Sequence, residues 1–562
     1  MSSITPAAPS APVPRASATL IVLRDAPRGL EVLMLRRADR PGDQNSGAAV
    51  FPGGLLDKTD GAHHALCEGL DDAAASARLG VPANGLNYWI SAIRECFEEA
   101  GLLFAADASG ALVDFSRADP DELFAMRQAL HANELGIGDV CARLGLRLAA
   151  DRLAYHSHWI TPRGRPKIFD TRFFVAEAPA HQIARADGGE TVELLWLTPA
   201  EALDKARALK LMHVTEVTLK QIGRFATAAE AVAAARAQTT IEVTRPRLAM
   251  GPKGSRAVDR SEWAFAEIRR LDPDGRGDVS VELVPGRPVW LSPRVLRVTA
   301  PNGSMMTGPG TNSYFIGTPG GDEWALLDPG PDDAAHVQAL RAAAPGRVTR
   351  ILVTHTHKDH SPAAMGLAAE WGAPTFGRVA SFPEWQDTGF VPARVLDDGD
   401  RLVLGEGVSL RAIHTPGHAS NHLCYLLEEE KLLFTGDHLM QGSTVVINPP
   451  DGEMVAYLAS LQRLLDEDLE WLAPGHGFLI DEPHAVVRKT IAHRLAREAK
   501  VLAAVQAHGP ADAATLLPVV YADTPPRLHA VALRSLQAHL VKLHTDRVIA
   551  SDAQGRWGMP AG

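Results

Sequence analysis

Residues 351–364 read ILVTHTHKDHSPAA, which sets three histidines and one aspartate within positions 355–360, directly after an apolar run. VTRILVTH has the length and β-branched content of a short strand, so His355 and the residues after it fall in the loop at its end. Imidazole nitrogen and carboxylate oxygen suit Zn2+, and a catalytic zinc keeps one position open for water. One cluster cannot complete two metal shells, so further ligands are expected at other strand ends. AIHTPGHAS brings His418, LLFTGDHLM brings Asp437 and EWLAPGHGF brings His476, each after a strand-like run. A lone loop histidine is ordinarily just solvated. His355, His357, Asp359, His360, His418, Asp437 and His476 together, spread over several strand-end loops, point to a site.

At 562 residues the chain exceeds what one hydrophobic core serves, and two to four domains are expected. A net charge of −11 argues against a protein coated in nucleic-acid-binding positive charge, while leaving room for a local basic patch. Cys67, Cys96, Cys141 and Cys424 are scattered without CxxC spacing, which indicates reduced thiols and a cytoplasmic home. No apolar run reaches membrane-spanning length, so no membrane association is expected. The opening MSSITPAAPSAPVPRASA reads as a disordered tail, placed at 1–16.

ATLIVLRD and LEVLMLRR read as strands joined by a turn near APRG, followed later by the helix-like SAIRECFEEAGLL and the strand TRFFVAEA. RPRLAMGPKGSR and DPDGRG suggest a connector over 243–287 with a short helix near RSEWAFAEIRRL; tether and packed wedge both stay open. From RVLRVTAPNGS onward strands and helices alternate again, and after His484 the chain turns helical, with a strand pair near DRVIASDAQGRWGM. These divisions give domains at 17–242, 288–483 and 484–562.

The histidine-bearing stretches resemble, in order, the HxHxDH, PGH, GD and GHG motifs of the metallo-β-lactamase fold, with LLDPG (Asp328) as its early aspartate turn. The resemblance implies two antiparallel sheets sandwiched by helices, an αββα arrangement with metals at one edge. It implies that His355, His357 and His418 hold one zinc, that Asp359, His360 and His476 hold the other, and that Asp437 bridges them; Mn2+ or Fe remain alternatives. TGPGTNSYFIG, GDHLMQGSTVVINPPDGEMVAYLASL and HRLAREAKVLAAV look like the lactamase-beta-like endoribonuclease subgroup, which adds a winged-helix-like C-terminal domain and single-stranded RNA as substrate. From His484 on there are ten Lys/Arg against five Asp/Glu, an excess that suits phosphate or an ordinary solvated face equally. The rival within the fold is a glyoxalase-II-like thioesterase or another small-molecule hydrolase. The C-terminal domain could equally serve a homodimer. His422 and His438 beside the ligands read as supporting or packing residues.

A second site lies earlier. In AIRECFEEAGLL, Glu95, Glu98 and Glu99 are spaced i, i+3, i+4 and share one helix face, while Ile93, Cys96, Phe97 and Ala100 dock the helix and Gly101 stops it. Clustered carboxylates suit Mg2+ or Mn2+. REcFEEaGL resembles half of the Nudix box and VFPGG its opening glycine, a likeness spanning about 17 to 240. It implies an α/β/α sandwich with a mixed sheet, metal binding by Glu95, Glu98 and Glu99, and Arg94 orienting Glu98. It also implies cleavage of a nucleoside diphosphate linked to another moiety. Counted from Gly54 the box's first-acid position falls on Asp60, not on a glutamate, and about 33 residues then precede Arg94, an insertion that reads as a surface loop and leaves the role of Asp57 or Asp60 unassigned. With HWITPRGRPKIFDTRFF and ETVELLWLTPAEAL, the insertion resembles the coenzyme-A-diphosphatase-like branch, whose substrate is CoA or acyl-CoA. Glu190 and Glu193 stand where a loop is expected, with Glu193 a candidate base or metal ligand. Together the readings describe a multidomain α/β, bifunctional metal-dependent hydrolase. The rival class makes the Nudix half a ligand sensor for the other.

Overall fold

ATLIVLRD and LEVLMLRR pair as antiparallel strands β1 (Arg15–Ala26) and β2 (Gly29–Arg37), joined at the expected turn. The computed structural model describes residues 13–39, 46–187, 189, 191–384, 386–442 and 444–560; the Pro/Ala/Ser-rich stretch 1–12 lies outside them. The chain divides into two compact units between Leu248 and Ala249.

In the first unit, β3 (Ala48–Val50) pairs with β2 and β4 (Gly53–Leu55) with β1, both antiparallel. Helix α1 (Leu86–Ala100) follows. β5 (Ala154–Ile160) is antiparallel to β6 (Phe169–Glu177), which runs parallel to β1, while β7 (Thr191–Leu197) is antiparallel to β2. The sheet is mixed, as expected. Trp89, Ile90, Ile93, Cys96 and Phe97 of α1 bury against one face, and α2 (His213–Ile222) and α3 (Ala228–Ala237) cover the other. Each fully buried large apolar side chain contributes about 1.5–3 kcal/mol, so the apolar side of α1 suffices to hold its acidic residues in place. The insertion between Gly54 and Arg94 is not a plain surface loop. It forms a 3-10 helix at Asp60–Leu66 and an α-helix at Asp72–Leu79, capped by Asp71 and by left-handed Gly80, because Ala75 and Leu79 find the core.

In the second unit, residues 249–287 are structured. They complete the hairpin of β8 (Arg247–Gly251) and β9 (Gly254–Val258), then form α4 (Phe265–Leu271), and Ala249, Val258, Phe265 and Ile268 share a core with Phe478. One sheet runs β10 (Val289–Ser292), β11 (Val295–Thr299), β12 (Asn312–Gly317), β13 (Glu323–Leu327), β14 (Arg347–Leu352), β15 (Thr375–Gly377) and β16 (Arg394–Val395). The other runs β17 (Arg401–Gly405), β18 (Val408–His414), β19 (Leu423–Leu427), β20 (Leu432–Gly436) and β21 (Trp471–Pro474). Tyr314, Ile316, Leu327 and Leu352 meet Leu410, Ala412, Tyr425 and Phe434 between them. Helices α5 (Ala334–Ala343), α6 (Ala363–Trp371) and α7 (Met454–Leu464) cover the outer faces, completing αββα. The sheets are mixed and not antiparallel as expected: β13–β14, β14–β15, β15–β16 and β20–β21 are parallel. For β13–β14, β14–β15 and β20–β21 the cause is the connections, because α5, α6 and α7 are crossovers, and a crossover returns the chain in the same direction. β14, β18, β20 and β21 deliver the candidate ligands from their C-terminal ends.

The C-terminal part is α8 (Pro483–His508), α9 (Ala513–Val520), α10 (His529–Thr545) and the small hairpin β22 (Ala550–Ser551) with β23 (Trp557–Gly558), a winged-helix arrangement around Val501, Val505, Leu516, Leu536 and Leu540. Among the described residues no helix is long and apolar enough to cross a membrane.

Candidate metal centre and a second acidic site

His357 Nδ1 lies 2.9 Å from His355 Nε2 and 3.0 Å from His418 Nε2, so three imidazole nitrogens from two loops converge. Beside them, Asp359 Oδ2 is 3.5 Å from His360 Nε2 and 3.3 Å from His476 Nε2, and Asp437 Oδ1 is 3.5 and 3.2 Å from the same two nitrogens. The other oxygen of Asp437, Oδ2, is 3.7 Å from His418 Nε2. Asp437 therefore faces both groups, one oxygen to each.

In four of the five rings the opposite nitrogen is held in a hydrogen bond, which fixes the ring and turns the converging nitrogen toward the site. His418 Nδ1 donates to Val446 O at 2.7 Å, His476 Nδ1 to Gly310 O at 3.2 Å, and His360 Nδ1 to Asp328 Oδ2 at 2.9 Å. His355 Nδ1 donates to Thr354 Oγ1 at 3.0 Å, which in turn donates to Asp328 Oδ2 at 2.8 Å. Asp328 thus orients a histidine in each group, and it does so from a left-handed φ of +49° that a non-glycine residue holds only when its surroundings impose it. Two glycines allow the approach: a Cβ on Gly475 would stand 2.8 Å from Asp437 Oδ1, and one on Gly436 2.7 Å from Thr354 Oγ1. His422 Nε2 accepts the backbone N–H of Asp437 at 3.2 Å, and buried His438 packs on the Tyr457 ring, so both support the site as expected.

The two groups differ electrostatically. Burial and neighbouring imidazoles push His355 well below its ordinary value, and burial with the adjacent His418 pushes His357 down to about 3. In the other group, burial opposes charge on His476, yet Asp437 and Asp359 outweigh it and lift it to about 9. Burial would raise Asp359, but His360 and His476 hold it down at about 2. In one group His355 and His357 are pushed toward the neutral form, and the other is a quartet of carboxylates and imidazoles. His360 Nε2, His476 Nε2 and Asp437 Oδ1 are buried and meet as ion-pair contacts at 3.2–3.5 Å that lack hydrogen-bond geometry. Buried polar atoms without well-formed bonds are costly, and a cation between them would satisfy them. The donor set fits divalent metal at both groups, and among the described residues these two are the groupings that bring three or more such ligand atoms within 4.8 Å of one another.

On α1, Arg94 occupies the middle of the acidic face. Its Nη1 donates to Glu95 Oε1 at 2.9 Å and Glu98 Oε1 at 3.1 Å, its Nε to Asp60 Oδ1 at 3.2 Å, and its Nη2 to Leu55 O at 2.9 Å. Asp60 is fully buried, so the insertion delivers the acid that the sequence leaves unassigned. Glu99 Oε2 accepts Gly53 N–H at 2.9 Å, and a Cβ on Gly54 would meet Glu95 at 2.3 Å, so β4 touches the helix through its glycines. Burial raises Glu95 to about 7 and raises Glu98, against the pull of Arg94. Glu193 is not in a loop. It sits on β7 opposite Arg36, half exposed and ion-paired to it at 3.2 Å, because strand pairing with β2 extends to that position. Glu190 lies outside the described residues. Asp60, Thr354 and the Val446 carbonyl escape sequence reasoning as site residues, and only Asp60, at the register of the box's first acid, left a signal.

Comparison with known proteins matches residues 67–214 to the NUDT19 Nudix domain, 306–476 to the metallo-beta-lactamase superfamily and 513–557 to the beta-lactamase associated winged helix domain. The chain is 30% identical over 263 residues to the beta-lactamase-like protein 2 homolog of Caenorhabditis elegans, covering 46% of this chain and 87% of that protein. It is 29% identical over 289 residues to an atrochrysone carboxyl ACP thioesterase of Aspergillus fumigatus, covering 47% and 85%. Among solved structures, a metallo-beta-lactamase family protein of Thermus thermophilus aligns with a TM-score of 0.42 at 24% identity, covering 48% of this chain and 100% of that one. This chain belongs to the metallo-beta-lactamase superfamily and is a metal-dependent hydrolase that carries a Nudix domain before the lactamase-type domain and a lactamase-associated winged helix after it.

Proposed function

We propose a bifunctional enzyme. Its lactamase-type site hydrolyses an acyl thioester, and its Nudix site cleaves the pyrophosphate of a CoA-like substrate. The observation that supports two working metals is the pair of converging donor groups, with Asp437 turning one oxygen to each. His355, His357 and His418 would hold one zinc, Asp359, His360 and His476 the other, and Asp437 would face both; Mn2+ or Fe suits the same donors. Zinc there supplies Lewis acidity, which activates water and polarises a carbonyl or phosphoryl oxygen. Asp328, Thr354 and the Val446 carbonyl keep the rings aimed while the charge changes. At the Nudix site Glu95, Glu98 and Glu99 would hold Mg2+ or Mn2+, with Arg94 and Asp60 setting the carboxylates in place. The product pair would be a phosphopantetheine and an adenosine bisphosphate.

One observation favours a thioester: the Aspergillus relative is named a thioesterase. In the C-terminal part Arg497 and Lys500 pair with Asp523, Lys542 with Glu498 and Asp546, and Arg556 with Asp552, and the remaining basic residues keep the local excess. Single-stranded RNA is the second reading, supported by the winged-helix match.

The test offers purified protein an acyl-CoA and, separately, a single-stranded RNA oligomer. Thiol release, adenosine bisphosphate release and RNA cleavage are followed. His357→Ala/His418→Ala should remove thiol release alone, and Glu98→Gln/Glu99→Gln should remove pyrophosphate cleavage alone. RNA cleavage that depends on the histidines, without thiol release, would move the lactamase-type site to the second reading.

A further inference from the structure

The loop that carries His476 is held by residues far upstream of the superfamily match. Glu267, on α4, is 2% exposed and makes a bidentate pair with Arg297 of β11, itself 1% exposed, at 2.6 and 2.8 Å. The same carboxylate accepts the backbone N–H of Leu479 through Oε2 at 2.9 Å. One residue earlier, Phe478 N–H donates to Gln441 Oε1 at 3.0 Å, and the amide nitrogen of Gln441 donates to Trp263 O at 2.9 Å. The segment between the Nudix domain and the first lactamase strand thus reaches the two residues following Gly477 by two separate routes. From the other side, Asn312 Nδ2 donates to Gly477 O at 2.8 Å and Pro474 O at 3.0 Å. Backbone groups on both sides of His476 are therefore held by side chains.

A buried ion pair alone is weak evidence of function, because apolar residues of similar volume often replace it without loss. The third bond makes the difference here. Arg297 alone could be neutralised by any carboxylate, but Leu479 N–H needs an acceptor in this one position. Groups bonded directly to a metal's ligands govern metal affinity, typically by about 10- to 100-fold, and side chains that fix the backbone carrying a ligand act on the same orientation.

We infer that Glu267 and Gln441 are positioning residues of the metal centre, clamping the His476 loop, and that residues 249–287 are a working part of the lactamase-type domain. The inference rests on the ligand role given to His476 above. Glu267 acts through Leu479 N–H, and Gln441 relays the Trp263 carbonyl to Phe478 N–H. Neither side chain need touch substrate.

The test measures zinc stoichiometry and chelator-competed zinc affinity on the full-length protein, with circular dichroism melting as a check on folding. Wild type should bind two zinc ions at the lactamase-type site, and His476→Ala should lose one. Gln441→Leu disturbs no buried charge and should weaken the second zinc by about 10-fold. Glu267→Leu/Arg297→Leu removes both charges, keeps the core filled and leaves Leu479 N–H without its acceptor. It should melt near wild type yet bind the second zinc about 10- to 100-fold more weakly. Wild-type affinity in both the Gln441 and the paired variant would overturn the clamp. Two zinc ions retained in His476→Ala would instead overturn the ligand assignment beneath it, and the two failures read differently.

Discussion

The two sites handle crowded carboxylates in opposite ways. On α1 the crowding is relieved inside the protein: the guanidinium of Arg94 lies between Glu95, Glu98 and Asp60 and pairs with all three. At the lactamase-type centre the nearby positive charge is titratable imidazole, which meets the carboxylates at 3.2–3.5 Å. A site with a built-in cation keeps its shape when the metal leaves. A site whose cations are protons must exchange them for metal, and its geometry depends on that exchange.

The sharpest break between the two is genetic. His357→Ala/His418→Ala should lower hydrolysis at the lactamase-type site by on the order of a thousandfold or more, with adenosine bisphosphate release within about twofold of wild type. A comparable fall in both rates would mean the sites are one functional unit. Next in size, Asp60→Asn leaves Arg94 with one fewer buried partner and should cost about 3 kcal/mol of first-unit stability, read as a shift in urea midpoint. An unchanged midpoint would show that Glu95 and Glu98 alone satisfy the guanidinium.

A smaller effect comes from pH. Burial raises Glu95 from 4.5 to about 7, so the folded protein binds this proton more tightly than the unfolded chain. That contribution to metal-free stability is complete below about pH 4.5 and is lost as pH rises through about 7. Its size is roughly 1–3 kcal/mol. Mg2+ should reverse it, so calorimetry should find a larger Mg2+-induced rise in melting temperature at pH 8 than at pH 6. Equal rises would remove Glu95 from the metal set. The smallest prediction concerns the first helix of the C-terminal part, α8. Arg494 of α8 is buried, stacks on Tyr457 and donates to the Val445 carbonyl, whose neighbour Val446 O holds His418. Arg494→Met should weaken the first zinc by about 10-fold and leave the Nudix rate unchanged, as competition with a chromogenic chelator would show.

Much of both sites is legible in the chain, for reasons that differ. Glu95, Glu98 and Glu99 lie within one helical turn and a half, where the 3.6-residue period alone places them on a face. The metal-binding loops are legible because an apolar strand announces where each begins. Glu193 misleads, since an acid just after a Gly-rich turn looks like loop, while pairing with β2 makes it strand and gives it Arg36. The antiparallel expectation for the lactamase-type sheets fails because strand direction is set by crossovers, which short-range alternation does not record. Asp60 is half legible: its register in the box marks it, but the insertion hides its route to Arg94.

Local pattern was enough to indicate the candidate ligand types, the face of α1, the strand-end position of each histidine and the order of the domains, because each depends on neighbours within a few residues. Tertiary structure alone decided that Asp437 faces both donor groups, that Asp328 aims two histidines, that Asp60 meets Arg94, and that Glu267 reaches Leu479 across 212 positions. Such contacts join residues whose separation carries no period, so only the packed core can bring them together.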